Sequence, residues 1–227
     1  MAKVSLAQHM QEHRHEPESQ GEKAGPFITI SRQYGCWGFS LALLLRDILN
    51  EEVAPGRSWN IYHKEILDRL ASETNMEAEE LDRHRRAKPK RLVDFFRTLS
   101  GKKVPSGHEI RNRMAELIRD LAVKGYAIVV GQGGAGATHD LPKGLSVRLE
   151  APQEWRIEQI AFREGLTPTQ ARLRMNAKEA EKEYLRKLYQ TRFRRTPAFN
   201  LMYDCSVFTL AQIAQQIVRA MKLKGCV

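Results

Sequence analysis

Arg32, Gly35, Cys36, Trp37, Gly38, Phe39 and Ser40 follow directly on the apolar run Phe27-Ile28-Thr29-Ile30-Ser31 and precede apolar residues at helical spacing from Leu41 to Asn50. A β-branched run, a turn with glycines three apart and then a helix aims main-chain N–H groups and a helix N-terminus at an anion, so the chemistry on offer is phosphate binding. A strict G-x-x-x-x-G-K-[ST] loop would need Gly where Arg32 and Trp37 stand, Lys at Gly38, and Ser or Thr at Phe39. The chain thus has the context of a phosphate loop without its usual lysine.

Phosphoryl transfer is catalysed by positioning and by positive charge gathered on the transferring group. The segment from Arg163 to Arg195 carries ten basic side chains against four acidic ones. Arg156, Arg186 and Arg192 are the candidates for cations on a closing lid. The same segment also reads as a polar helix wearing alternating charges, with Lys178 and Lys182, and Glu183 and Lys187, at i, i+4. The densest basic run, Arg83-His84-Arg85-Arg86-Ala87-Lys88-Pro89-Lys90-Arg91, fits an acceptor phosphate, a nucleic-acid backbone or a solvated surface. No aromatic residue interleaves with those charges to stack bases.

Magnesium in phosphate-loop enzymes relies on a loop hydroxyl and an acidic residue. Phe39 offers no hydroxyl and Ser40 points a different way on a helix. Asp68, Asp140 and Asp204 remain unassigned, and no metal ligands are named. His9, His13 and His15 include an i, i+4 pair but lack Cys or carboxylate partners at fixed spacing. There is no G-x-S-x-G elbow, and Cys36, Cys205 and Cys226 show neither C-x-x-C spacing nor a nucleophile signature. Free thiols in a reducing compartment are expected.

The elements that must position these groups are legible as alternating strands and helices. With 227 residues, of which 42% are hydrophobic and 28% charged, the chain can bury one substantial core. Its net charge of +10 suits polyanionic partners, nucleotides or nucleic acid. Residues 1–25 read as a flexible leader and 26–227 as the domain. Strands are expected at Phe27 to Ser31, Ser58 to Tyr62, Tyr126 to Val130, Leu145 to Leu149 and Asn200 to Asp204. Helices are expected at Leu41 to Asn50, Lys64 to Glu73, Met76 to Arg86, Arg111 to Lys124, Gln153 to Glu164, Thr167 to Tyr189 and Thr209 to Leu223. A second glycine-rich loop, Gly131-Gln132-Gly133-Gly134-Ala135-Gly136, follows the third strand. Such alternation implies a parallel sheet covered on both faces, with its ligand site beyond the strand C-termini, where both glycine loops fall. No apolar stretch is long enough for a membrane helix, and the chain reads as cytoplasmic.

Taken in order, Ile-Ser-Arg-Gln-Tyr-Gly at 30–35, Tyr62-His63-Lys64-Glu65-Ile66-Leu67, Val129-Val130-Gly131-Gln132-Gly133, Ala151-Pro152-Gln153-Glu154-Trp155-Arg156-Ile157, Glu164-Gly165-Leu166 and Glu183-Tyr184-Leu185-Arg186-Lys187-Leu188-Tyr189 resemble the cytidylate kinase-like family, a nucleoside monophosphate kinase branch of the P-loop fold. The resemblance spans about residues 27–221. It implies an α/β three-layer P-loop fold with a parallel sheet of about five strands and a helical lid. It further implies phosphoryl transfer from a nucleoside triphosphate, ATP or GTP with Mg2+, to a pyrimidine nucleoside monophosphate or related acceptor.

Under the resemblance, the branch itself lacks the P-loop lysine and Arg32 supplies the charge. Arg32 and Gly35 to Ser40 then bind nucleotide phosphate. Tyr62, His63, Lys64, Gly131, Gln132 and Gly133 face the acceptor. Several positions depart from the family pattern: Trp37 replaces a glycine and is expected to crowd the β-phosphate space, His63 replaces Asp, Gln132 replaces Arg, and Lys178 and Glu181 replace an Asp and Arg lid pair. An arginine lost from a phosphate-facing loop removes a bidentate donor that glutamine does not restore. Weak or lost activity follows, with a catalytically silent nucleotide-binding protein acting through a partner, or a basic nucleic-acid-binding protein, as the alternatives.

Overall fold

The computed structural model describes residues 24–74, 77–86, 106–192 and 199–227, with side chains for 24–72, 77–83, 106–180 and 199–227. The leader with its three histidines, the basic run beyond Arg83, and the side chains of Glu181, Arg186 and Arg192 lie outside that set. The chain divides into two compact units, one of residues 24–63 with 118–227 and one containing residues 64–117.

The larger unit is built on five parallel strands, β1 (Phe27–Arg32), β2 (Asn60–Tyr62), β3 (Ala127–Val130), β4 (Gly144–Glu150) and β5 (Leu201–Asp204), in the order β2-β3-β1-β4-β5. Central β1 pairs Ile28 with Ile128 of β3 on one side and with Leu145 of β4 on the other. Strands covered on both faces carry continuous apolar runs, and β3 is Ala-Ile-Val-Val with all four residues buried. Ile28, Ile30, Ile128, Val130, Val147 and Leu149 form one core with two helices, α1 (Gly38–Glu51) and α8 (Leu210–Leu223). Helix α1 buries Leu41, Ala42, Leu45 and Leu49, the spacing of a single helical face. Helix α8 begins at a capping box, in which Thr209 Oγ1 accepts from Gln212 N and Gln212 Oε1 accepts from Thr209 N.

Phe27, Thr29, Ala127 and Val129 alternate onto the other sheet face and are buried as well. Four residues, Gly134–Ala137, form the short helix α5 there. The second glycine run is therefore a turn only over Gly131 to Gly133. A side chain on Gly134 would approach Val129 Cγ1 to 3.1 Å and Thr29 Cγ2 to 3.3 Å, so its small size lets a helical turn lie against the sheet. Beyond β4, α6 (Gln153–Glu164) and α7 (Pro168–Arg192) form the helix pair expected as a lid, joined at Gly165 with φ of 64°.

The second unit contains α2 (Glu65–Thr74), α3 (Ala78–Arg86) and the opening of α4 (Gly107–Lys124), which ends in the larger unit. Ile66, Leu67, Leu70, Leu81, Ile110 and Met114 are buried. Helix α4 starts four residues before the expected Arg111. Ser106-Gly107-His108-Glu109 is a capping box: Glu109 N donates to Ser106 Oγ at 3.2 Å and Ser106 N donates to Glu109 Oε2 at 2.6 Å. Strand β2 starts at Asn60 instead of Ser58, and Ser58 O accepts from the Asn60 side chain. No helix among the described residues is long and apolar enough to cross a membrane.

Candidate functional site

Helix α1 begins at Gly38 with no side-chain cap, and the residue before it, Trp37, is left-handed at φ 44°. The first N–H groups of such a helix have no intrahelical acceptor and carry the positive end of its dipole. Gly35 also sits at positive φ, 95°, and a side chain there would come within 3.0 Å of Arg156 Cβ. A glycine turn and an uncapped helix N-terminus thus follow β1 in the expected order.

Arg32 takes a course of its own. Its side chain runs beneath the start of α1, where a Cβ on Gly38 would meet Arg32 Cδ at 3.0 Å, and ends against Gly131, where a Cβ would meet Nη1 at 1.9 Å. Arg32 Nη2 lies 3.0 Å from His63 Nε2, which accepts this hydrogen bond when the ring is neutral. Among the described residues no carboxylate pairs with Arg32. Burial, and secondarily the nearby charge of Arg148, push the Arg32 pKa down to about 10. Arg148 is itself buried and engaged, donating to Glu150 Oε1 at 3.0 Å and to Ser31 Oγ at 2.9 Å.

His63 and Gln132 complete that corner. Gln132 Nε2 donates to His63 O at 2.9 Å, and the Phe39 ring lies 5.8 Å from the His63 ring. Gly131, Gln132 and Gly133 are all at positive φ, 76°, 57° and 83°. Arg32, Phe39, His63, Gly131 and Gln132, expected to serve two ends of one site, are therefore neighbours. Tyr62 is buried in β2, and Lys64 opens the smaller unit, its carbonyl accepting from Leu67 N at 2.8 Å at the start of α2.

The remaining loop side chains have partners of their own. Cys36 is fully buried and its thiol donates to Cys205, holding the Cys205 thiol below its ordinary value. Trp37 is left-handed and its indole rests on α6, where Nε1 donates to Gln159 Oε1 at 3.3 Å and Arg163 stacks on the ring. Arg163 Nη2 also donates to Ser40 Oγ at 3.2 Å.

Arg156 stands in the first turn of α6 and is buried, not carried on the long lid helix. It donates to Ala151 O at 3.1 Å and to Tyr34 O at 3.3 Å. The Tyr34 hydroxyl donates to Glu164, and burial, then that hydrogen bond, raise the Tyr34 pKa. Gln159 and Glu179 escaped the sequence reading, although Arg156, Gln159 and Arg163 at i, i+3 and i+7 already define one face of a helix.

An open cleft of about 310 Å³ lies beside the loop at the ends of β4 and β5, lined by Gln33, Glu150, Ala151, Pro152, Met202, Tyr203 and Asp204. Gln33 Oε1 accepts from Ala151 N at 3.0 Å and fixes this wall. Among the described residues no three His, Cys, Asp or Glu side chains gather to hold a metal ion. Asp140 is taken by Arg119 at 2.5 Å, and Asp204 accepts from Ser206. Asp140 and Asp204 are thus already engaged within the chain.

No curated protein matches the sequence significantly. The fold is similar to the crystal structure of an uncharacterized protein from Eubacterium ventriosum ATCC 27560, at 15% identity and a TM-score of 0.61 over 87% of this chain and 98% of that one. It is also matched by a shikimate kinase from Bacteroides thetaiotaomicron, at 12% identity and a TM-score of 0.48 over 87% and 97% of the two chains. The cytidylate kinase-like family model matches residues 27–209. With the strand order β2-β3-β1-β4-β5, a glycine loop leading from β1 into α1 and that match over most of its length, the chain belongs to the cytidylate kinase-like family.

Proposed function

We propose that this protein binds a nucleoside triphosphate through the loop from Gly35 to Ser40 and supports at most slow phosphoryl transfer to a pyrimidine nucleoside monophosphate or related acceptor. The observation that carries this reading is Arg32, a half-buried guanidinium without a carboxylate partner among the described residues, beside an uncapped helix N-terminus. An anionic phosphate supplies what that cation and those N–H groups lack. The cleft lined by Gln33, Pro152 and Tyr203 then takes the nucleoside of the donor, and the corner formed by His63, Gly131 and Gln132 takes the acceptor.

Slow turnover follows from the same corner. Gln132 spends its amide on a main-chain carbonyl, and His63 gives Arg32 a neutral acceptor. Neither places a second positive charge on a transferring phosphoryl group, which is where such catalysis draws its rate. Mg2+ is expected with the nucleotide, held by phosphate oxygens and water. A catalytically silent nucleotide-binding role, exerted through a partner, is favoured by the same two contacts.

The test is a melting-temperature titration of the full chain with ATP, GTP, CMP and UMP, each with magnesium. Stabilisation by a triphosphate, lost in Arg32→Met, supports the reading. A chain that no nucleotide stabilises, but that an oligonucleotide does, overturns it in favour of nucleic-acid binding.

A further inference from the structure

We propose that Glu179 is a built-in anion of the phosphate loop, a carboxylate carried by α7 that ties the helix pair to the loop until a phosphoryl group displaces it. This rests on the phosphate-binding reading and adds a coupling between ligand and lid. The Tyr34 main-chain N–H donates to Glu179 Oε1, and the same oxygen lies 3.6 Å from Arg156 Nη1. One carboxylate oxygen thus sits between a loop N–H and a guanidinium, the donor pair a phosphoryl oxygen takes.

The position of that oxygen is dictated by groups with little freedom. Arg156 is buried, and its Nε and Nη1 are fixed on the carbonyls of Ala151 and Tyr34. Its Cβ and main chain pack against Gly35, where any side chain would come within 3.0 Å. A carboxylate brings one negative charge and two oxygens; a terminal phosphate brings about −1.5 to −2 and three acceptor oxygens, so it wins an electrostatic contest for this N–H.

Displacement leaves α7 anchored near its start by Arg172 on Glu154 at 2.8 Å and Arg174 on Glu164 at 3.4 Å. Met175 stays packed with Ile157, Ile160 and Ala171, and the contacts given up at Glu179 are subtracted from ligand affinity. By linkage, whatever detaches Glu179 tightens anion binding by the same factor.

The experiment is calorimetric titration of inorganic pyrophosphate into the full chain as wild type, Glu179→Gln and Glu179→Asp, with hydrogen exchange followed over the peptide containing Tyr34. Glu179→Gln keeps the shape and an acceptor for Tyr34 N–H while removing the charge, so its fold is expected to persist. Pyrophosphate should bind Glu179→Gln about tenfold more tightly than wild type. Glu179→Asp, which keeps the charge on a shorter side chain, should fall between the two. In wild type, saturating pyrophosphate should speed exchange around Glu179 while Tyr34 stays protected. Pyrophosphate binding that is equal or weaker in Glu179→Gln overturns the displaceable-anion role and leaves the phosphate loop standing. No binding by any of the three proteins overturns the phosphate-loop reading and this inference together.

Discussion

The guanidinium of Arg163 lies 4.1 Å from the centroid of the Trp37 ring, and its Nη2 reaches Ser40 Oγ. A bulky residue held left-handed at the mouth of the loop is thereby stacked between loop and α6. Left-handed backbone costs a non-glycine residue about 1–2 kcal/mol, and an exposed cation–π pair returns about 0.5–1 kcal/mol. The two terms nearly cancel. Trp37→Gly should accordingly change unfolding free energy by less than about 1 kcal/mol in urea. Arg163→Ala should cost about 0.5–1 kcal/mol, with a shift in tryptophan emission. A loss well above 2 kcal/mol in Trp37→Gly would mean that the indole is part of the core and not of the loop surface.

Arg32→Met should abolish triphosphate-induced stabilisation without lowering the ligand-free melting temperature. Removing one partner of a buried ion pair costs about 3–5 kcal/mol, but Arg32 has no carboxylate to strand among the described residues, and Met fills similar space without a charge to desolvate. A fall of many degrees in the ligand-free protein would show that an anion of the chain itself depends on Arg32.

How much of this was legible in the sequence depends on whether the cause is local. Strand β1, the loop and α1 follow from β-branched residues, glycine spacing and a single apolar face, so the phosphate loop could be named before any contact was known. The Ser106 capping box was equally local and its S-x-x-E spacing simply outweighs the apolar pattern that begins later. Three features were not local. The direction of the Trp37 indole is set by a left-handed φ and by Gln159, 122 residues away. The placement of Arg156 beneath the loop depends on Gly35, and the contact between Arg32 and His63 depends on β1 and β2 flanking β3. Spacing along the chain carries none of these.

Gly131→Ala should be the most damaging single methyl in the site. Its Cβ would stand 1.9 Å from Arg32 Nη1, on a residue at φ 76° that L side chains rarely adopt. Left-handed strain alone is about 1–2 kcal/mol, and the clash forces Arg32 off His63 besides. Loss of both stability and nucleotide-induced stabilisation is expected by thermal melting. A Gly133→Ala variant, whose φ of 83° carries comparable strain, separates backbone strain from the clash.

Asp140 should contribute to acid stability through Arg119. The bidentate pair, at 2.5 and 3.0 Å, holds the Asp140 carboxyl below its ordinary value of 3.8, and Arg119 also caps Ala137 O at 2.8 Å. A depressed carboxyl adds stability that is fully present above 3.8 and is lost as the pH falls through the lower folded value. The pair is partly exposed, so about 0.2–1 kcal/mol is expected. Wild type should exceed Asp140→Asn in stability at neutral pH, and the difference should close as acid titrates the pair. A constant difference at every pH would assign the loss to packing.

Turnover is the last expectation, and it turns on charge. With magnesium, ATP or GTP and each of CMP, UMP and dCMP, ADP release should fall below about 1 per second, under the 1–100 per second usual for kinases. His63 and Gln132 occupy the acceptor corner with a neutral acceptor and a neutral amide, and Gln132 already donates to His63 O. Gln132→Arg restores a fork of donors at the same left-handed position, φ 57°. One charge-assisted contact is worth about 1.5–3 kcal/mol, so monophosphate binding should tighten by about tenfold or more in that variant. If wild type turns over in the ordinary range, the slow-transfer reading is overturned and the chain is a full kinase. If monophosphate affinity is the same in Gln132→Arg, the corner between β2 and β3 is not the acceptor site.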